Sequence, residues 1–338
     1  PYMPFPPTWP TYIPKDKLAG WFETYAEAME LNVWTATEVG GGQYDPDKRR
    51  WSIELRSSDG RRQTLTPQHV VMATGVSGIP NLPDDIPSFT DFAGTTVHSE
   101  EYTDGIAWQG RKALVLGTGN SGHDIAQDLY VNGVDVTMIQ RSPTMVVNIE
   151  PSAQLPYALY EEGPSLEDCD LLAAATPLKV LRKMHQLVTE KAKTFDKPLL
   201  DALSGAGFLL DYGKNNTGWQ FKYLERGGGY YFNVGCSDLI ANGQIRVVQF
   251  QDVDRFIAAG AKLNNGETLD ADLLVTATGY KGQHHLVASL FGQEVSNRCG
   301  PIWGFDEEGQ ELRNMWMRTG QPGLWFFAGS FAQCRIFS

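Results

Sequence analysis

The chain has 338 residues, 42% of them hydrophobic, which is enough to bury a large core and to divide into two domains rather than one. A formal net charge of −12 sets aside nucleic acid and anionic membrane surfaces as the main partner, and no run is long and apolar enough to form an integral membrane segment. The four cysteines, Cys169, Cys236, Cys299 and Cys334, lie far apart without C-x-x-C or metal-ligand spacing; this fits a reducing, cytoplasmic compartment and gives no metal site and no redox-active pair.

The opening, PYMPFPPTWPTYIPKD, carries no initiator methionine, and the chain closes at Phe337 and Ser338 just after a helix start. The sequence is therefore read as an internal fragment whose targeting signals are not assessable. The proline-rich opening is expected to be irregular and extended. Over 14–31, Leu18, Trp21, Phe22, Tyr25 and Met29 recur at spacings of three and four, which predicts an amphipathic helix. Short strands follow at 33–39, 51–55, 63–66 and 70–73, separated by turns at Asp45-Pro46-Asp47 and Ser58-Asp59-Gly60. The last of them runs HVVMATG and ends at Gly75.

The run ALVLGTGNSG, 113–122, is the strongest signal. Four apolar residues suit a buried parallel strand, and Gly117, Gly119 and Gly122 complete G-x-G-x-x-G where a helix begins, with Ile125, Ala126 and Leu129 as its apolar face. The spacing assigns Gly117 to the tight turn, Gly119 to close approach of a pyrophosphate and Gly122 to strand-helix packing, with phosphate charge held at the helix N-terminus. A second strand at 134–139 leads into Gln140, Arg141 and Ser142. An NAD site places an acidic residue near this point for the ribose 2'-hydroxyl, whereas a neutral residue followed by Arg and Ser suits a 2'-phosphate; the expected cofactor is NADP(H).

From 143 to about 230 the pattern turns helical, most clearly over 178–193, and is read as an insertion able to cover a substrate. Strands return at 245–248 and 255–257, with a hairpin at Asn264-Asn265-Gly266. The stretch 272–280, DLLVTATGY, echoes HVVMATG, so two strands ending in Ala-Thr-Gly flank the G-x-G-x-x-G unit and suggest one nucleotide domain inserted into another. A final strand at 325–328 turns through Gly329-Ser330 into a helix. His284-His285 lacks a third metal ligand. His123-Asp124, although it follows Ser121, sits behind the phosphate loop and is not a hydrolase triad.

Upstream of the glycine loop, Phe92, Gly94, His98, Ser99 and Tyr102 stand at the spacing F-x-G-x-x-x-H-S-x-x-Y. This linker, with GTGNSG and LLVTATGY, resembles the flavin-containing monooxygenases, including plant indole-pyruvate monooxygenases and their fungal and bacterial relatives. The likeness runs along essentially the whole chain and is weakest over 143–230. It implies an α/β fold of two nested dinucleotide-binding, Rossmann-like domains, the FAD domain incomplete at its N-terminus. The expected division is 1–103 for part of the FAD domain and the linker, 104–269 for the NADP domain with its insertion, and 270–338 for the return to the FAD domain. The family's own first G-x-G-x-x-G is absent, so about 60 to 70 residues, the usual size of a βαβ half, are expected to precede Pro1.

The resemblance further implies an FAD- and NADPH-dependent monooxygenase in which reduced flavin traps dioxygen as a C4a-(hydro)peroxide that oxygenates a small organic substrate. The reactive chemistry belongs to the cofactor, so no side chain is singled out as catalytic; His98 and Tyr102 are the linker candidates, and His98 serves equally well as a hydrogen-bonded structural histidine. Gly117, Thr118, Gly119, Asn120, Ser121 and Gly122 are expected around the NADP pyrophosphate, Arg141 and Ser142 at the 2'-phosphate, and Thr278, Gly279 and Tyr280 along the same crevice. Ala73, Thr74, Gly75, Gly329, Ser330 and the backbone of Val39 are the expected FAD contacts. Tyr102 stands where the related Baeyer-Villiger enzymes usually carry Trp, which favours N/S-oxygenation or decarboxylative oxygenation, with Baeyer-Villiger chemistry the alternative. A non-catalytic NADP-binding module or sensor lacking its flavin half is the reading from another class, and a flavin-linked reductase, without the disulfide pair of thioredoxin-reductase-like enzymes, ranks third. An oligomer is left open.

Overall fold

A computed structural model describes residues 3–83, 85–306 and 311–337. Strands that read as unbroken apolar runs belong to parallel sheets covered on both faces, and Lys112–Leu116 lies at the centre of one. Its order is Arg246–Gln249, Asp135–Gln140, Lys112–Leu116, Leu273–Thr276 and Thr95–His98, with every pair parallel. Alternate residues serve opposite faces. Ala113, Val115, Val136, Met138, Leu273 and Val275 pack against Ile125, Ala126 and Leu129 of the helix Asn120–Val131. Leu114, Leu116, Ile139, Val248 and Leu274 meet Phe256, Ala261, Leu263 and Leu269 on the other side. Those four come from a small antiparallel unit, Val253–Ile257, Gly260–Leu263 and Thr268–Asp270, turned by the expected hairpin.

A second body of structure surrounds a separate core of Trp51, Ile53, Met72, Val287, Phe291, Leu324 and Phe326. It is built from the antiparallel meander Thr37–Asp45, Arg50–Ser57 and Arg62–Leu65 and from a parallel pair, Val70–Met72 with Leu324–Phe326. The two Ala-Thr-Gly strands thus belong to two different parallel sheets. A short antiparallel pair, Ile79–Pro80 with Tyr280–Lys281, joins the segments that leave them.

The expected boundaries at 103/104 and 269/270 cut across the five-stranded sheet, which takes in Thr95–His98 and Leu273–Thr276. The reason is hydrogen bonding: a strand buried on both faces leaves backbone groups unpaired unless it has neighbours on both edges. Leu273–Thr276 pairs with Lys112–Leu116 on one side and Thr95–His98 on the other. The opening helix, Lys15–Ala28, forms within the expected 14–31 and has no buried residue. Its apolar stripe is held by ring contacts, with Trp21 against Phe5 and Tyr25 at 4.8 and 5.1 Å and Phe22 against Phe331 at 5.7 Å.

The insertion contains the helices Leu166–Ala175, Leu178–Phe195, Lys197–Gly205 and Gly218–Arg226. Its two ends are closed by the parallel pair Met145–Asn148 and Tyr230–Asn233. Buried Asp196 fastens this base by accepting from the Asn148 backbone and side-chain N–H groups at 3.0 and 2.9 Å and from the Ser152 hydroxyl at 2.8 Å.

Leu129 is fully buried at the helix-sheet interface, whereas Val131, two residues on, is 73% exposed. Leu129→Ala is expected to lower unfolding free energy by about 2–5 kcal/mol, and Val131→Ala to change it by less than about 0.5 kcal/mol. Denaturant titration of the two variants checks the assignment of this face.

Candidate functional site

The strand order reverses between Lys112–Leu116 and Leu273–Thr276, and in open parallel sheets the crevice at such a point is where ligands bind. The glycine loop leaves the first of these strands and the second Ala-Thr-Gly leaves the other. Gly117 adopts φ +120°, and a Cβ there would lie 2.3 Å from the Ala277 carbonyl oxygen. A Cβ on Gly122 would lie 2.2 Å from the Gly117 carbonyl oxygen. Both glycines are therefore required by the chain's own packing. Gly119 is different: its backbone is extended at φ −80°, and nothing lies within 4 Å of a Cβ built on it. The space before it is open, at the start of a helix whose first N–H groups have no side-chain cap.

The loop is fastened from behind. The Thr118 hydroxyl, buried, lies 2.7 Å from that of Thr144, which also donates to the Ser142 carbonyl at 3.3 Å. The turn bearing Arg141 and Ser142 is thereby tied to the glycine loop. Gln140, 1% exposed, is fully engaged: its carbonyl accepts from Leu209 N–H and Gln249 Nε2 at 2.8 and 2.9 Å, and its amide donates to the Leu209 carbonyl at 2.9 Å. Arg141 and Ser142 are exposed, and Arg141 makes no ion pair or hydrogen bond with any described residue. The first free polar group beyond this strand is thus a cation. Asn120 Oδ1 accepts from Phe232 N–H at 3.2 Å, so this side chain docks the insertion, while Ser121 stays exposed.

Across the crevice, Thr278 donates to the Asn81 carbonyl at 2.5 Å, and Gly279, at φ +79°, presents its carbonyl to Asn81 N–H at 2.9 Å. The same carbonyl lies 3.2 Å from His98 Nε2. Because His98 Nδ1 accepts from Glu100 N–H at 3.2 Å, its proton sits on Nε2 and points to Gly279. Tyr280 closes edge-on against this ring at 5.3 Å. His98, buried, is a pin between the linker and the second Ala-Thr-Gly turn. Tyr102 does not enter the crevice: its hydroxyl donates to Asp128 at 2.5 Å on the helix Asn120–Val131, and burial with that carboxylate pushes the phenol far above its ordinary range. The position expected to separate oxygenation types is therefore a strut.

At the other sheet, Phe327 N–H donates to the Met72 carbonyl at 3.0 Å, which brings Ala73, Thr74 and Gly75 to the same strand ends as Gly329 and Ser330. Gly75 has φ +70° with open space at its Cβ position. Ser330 caps the last helix reciprocally with Gln333, at 2.9 and 3.3 Å. Val39 lies on the meander at a bulge opposite Leu55, 42% exposed. The His284 and His285 rings lie 4.2 Å apart and tilted by 37°, and no described group of His, Cys, Asp or Glu forms a metal site.

The family model described as flavin-binding monooxygenase-like matches residues 1–166. Indole-3-pyruvate monooxygenase YUCCA1 of Oryza sativa subsp. japonica is 30% identical over 286 residues, covering 83% of this chain and 63% of that protein. These matches support the flavin-containing monooxygenase family for this chain. A probable FAD-binding monooxygenase of Acinetobacter, AlmA, is 25% identical over 72% of this chain and 49% of its own length. The fold matches the open structure of cyclohexanone monooxygenase with TM-score 0.58, 18% identity, and coverage of 84% and 62%. It also matches the flavin-containing monooxygenase of Stenotrophomonas maltophilia with TM-score 0.59, 15% identity, and coverage of 99% and 79%. The chain spans less than two thirds of the length of the first curated relatives it matches.

Three residues that secure the site carry no motif. Thr144, Gln140 and His123 are buried polar groups; the first two bond residues distant in sequence and His123 bonds Gly119 one turn earlier, and only their polarity within apolar surroundings marks them. Burial pushes His123 and His185 down from the ordinary 6.5 to about 4. Below 6.5 the unfolded chain takes up protons that the folded chain refuses, so both residues destabilise the fold as pH drops from 6.5 to about 4, where the folded form also titrates. Replacing either with Phe is expected to remove up to about 3 kcal/mol of that acid-side loss, read from denaturation midpoints at pH 7 and pH 4.

Proposed function

We propose that this chain binds NADP(H) at the Gly117–Gly122 loop and FAD at the paired strand ends of Val70–Met72 and Leu324–Phe326, as part of a monooxygenase acting on a small organic substrate. The observation that carries the reading is the contrast among the three glycines: Gly117 and Gly122 answer to the protein's own backbone, whereas nothing lies within 4 Å of a Cβ built on Gly119, which opens the start of the helix to a phosphate. Gly119 and the first N–H groups of the helix Asn120–Val131 would hold the pyrophosphate. Arg141, free of any described partner and tied through Thr144 to the loop, would hold the 2'-phosphate, with Ser142 beside it.

Ala73, Thr74, Gly75, Gly329 and Ser330 would hold FAD, and the open cradle at Gly75 fits close approach of that group. Bound flavin supplies the redox chemistry and the activation of dioxygen. The chain's contribution is alignment. His98 and Tyr280 fix the second Ala-Thr-Gly turn, and the Ile79–Pro80 to Tyr280–Lys281 pair joins the NADP-side sheet to the FAD-side strands. The names of the relatives, indole-3-pyruvate monooxygenases and an FAD-binding monooxygenase, support this reaction class. The four free thiols suit a reducing, cytoplasmic setting, and no described helix is long and apolar enough to cross a membrane.

Arg141→Ala is expected to weaken NADPH by about 1–3 kcal/mol while leaving NADH unchanged; an equal loss for both contradicts the 2'-phosphate assignment. Because a Cβ at Gly119 meets nothing within 4 Å in the ligand-free protein, Gly119→Val is expected to keep the melting temperature and lose NADPH binding. In the presence of FAD, NADPH oxidation that requires oxygen and yields an oxygenated product from methyl phenyl sulfide or cyclohexanone supports the enzymatic reading; NADPH binding without any turnover favours a cofactor-binding module.

A further inference from the structure

A glycine that must lack a Cβ so that a phosphate can approach also has a backbone with little resistance to rotation. Gly119 is such a residue, and the orientation of its peptide decides which way the following N–H groups point. Directly behind it stands His123, on the first turn of the helix Asn120–Val131 and 0% exposed. Its Nδ1 lies 3.2 Å from the Gly119 carbonyl oxygen, which also accepts the His123 backbone N–H at 3.0 Å. A carbonyl only accepts, so Nδ1 bears the ring proton and Nε2 is bare. The ring cannot turn away: it lies flat on Tyr231, with centroids 3.9 Å apart and planes 8° apart, and against Phe208 at 5.7 Å. Tyr231 is itself anchored, its hydroxyl accepting from Val234 N–H at 3.2 Å.

Packing alone does not call for an imidazole here. Nε2 is buried without a partner, which is destabilising, and a phenylalanine would fill the same slot against Tyr231 without that cost. What phenylalanine lacks is the Nδ1 donor. We propose that His123 is a positioning residue for the dinucleotide phosphates, its Nδ1–H clamping the Gly119 carbonyl to the rear of the loop so that the N–H groups of Asn120, Ser121 and Gly122 face the ligand. The role in binding rests on the loop being the NADP(H) site; the clamp itself does not.

Nitrogen-15 NMR of the ligand-free chain reads the clamp: a neutral ring protonated on Nδ1 is expected, and protonation on Nε2 overturns the proposal. His123→Phe keeps the stacking and removes the donor, so backbone order parameters at Gly119 and Asn120 are expected to fall and the Kd for NADPH to rise roughly five- to tenfold. His123→Asn, whose amide N–H can take the place of Nδ1–H, is expected to restore most of that affinity. Unchanged order parameters and Kd in His123→Phe, with the fold intact, overturn the proposal. If the unaltered chain binds no NADPH, the reading of the loop fails, while the tautomer and the order parameters still decide whether the clamp exists.

Discussion

Everything at this site depends on one close backbone approach at the centre of the five-stranded sheet. The Gly117 backbone lies against the Ala277 carbonyl, and Gly122 lies against the Gly117 carbonyl, so strand, loop and helix are stacked with no room for a Cβ at either place. Because Leu273–Thr276 and Lys112–Leu116 are hydrogen-bonded neighbours, this contact sets the distance between the glycine loop and the second Ala-Thr-Gly turn. The crevice is the consequence. It has the open Gly119 on one wall, Thr278 and Gly279 on the other, and the exposed Arg141 at one end.

A rigid crevice also requires that the loop be held from the side away from the ligand, and buried polar side chains do this. Thr118 with Thr144, Gln140 with Leu209 and Gln249, and His98 with Gly279 each satisfy a hydrogen-bonding group that burial would otherwise leave costly. Each also ties together segments distant in sequence. Gln140 links the second strand to the insertion, and His98 links the linker to the far wall.

The glycine pattern was legible because its demands are made by the backbone, and backbone demands leave a mark on residue type. Four of the five parallel strands were legible for a similar reason, since burial on both faces requires continuous apolar runs, whereas the edge strand Thr95–His98, largely exposed, carries no such run and reads only as linker. The domain limits were not, because nothing within 95–98 or 273–276 states which neighbouring strand it will pair with. Tyr102 shows the limit of a motif: its spacing identified the linker, yet its hydroxyl turns to Asp128, a partner that no local pattern names. The opening helix shows the limit of periodicity. Its apolar spacing predicted a helix over 14–31, and Lys15–Ala28 is helical, but spacing does not say what the stripe will meet, and here it meets other aromatic rings at the surface.

The proposed dinucleotide phosphate lies in the crevice between two parallel strands, held by the open middle glycine and a cation at the next strand's end. Hydrogen exchange with and without saturating NADPH tests this most directly. Protection is predicted in peptides covering 117–123 and 141–144, with the strand 70–72 and the meander unchanged. Protection confined to other segments, or none at an NADPH concentration that oxidises or binds, would contradict it.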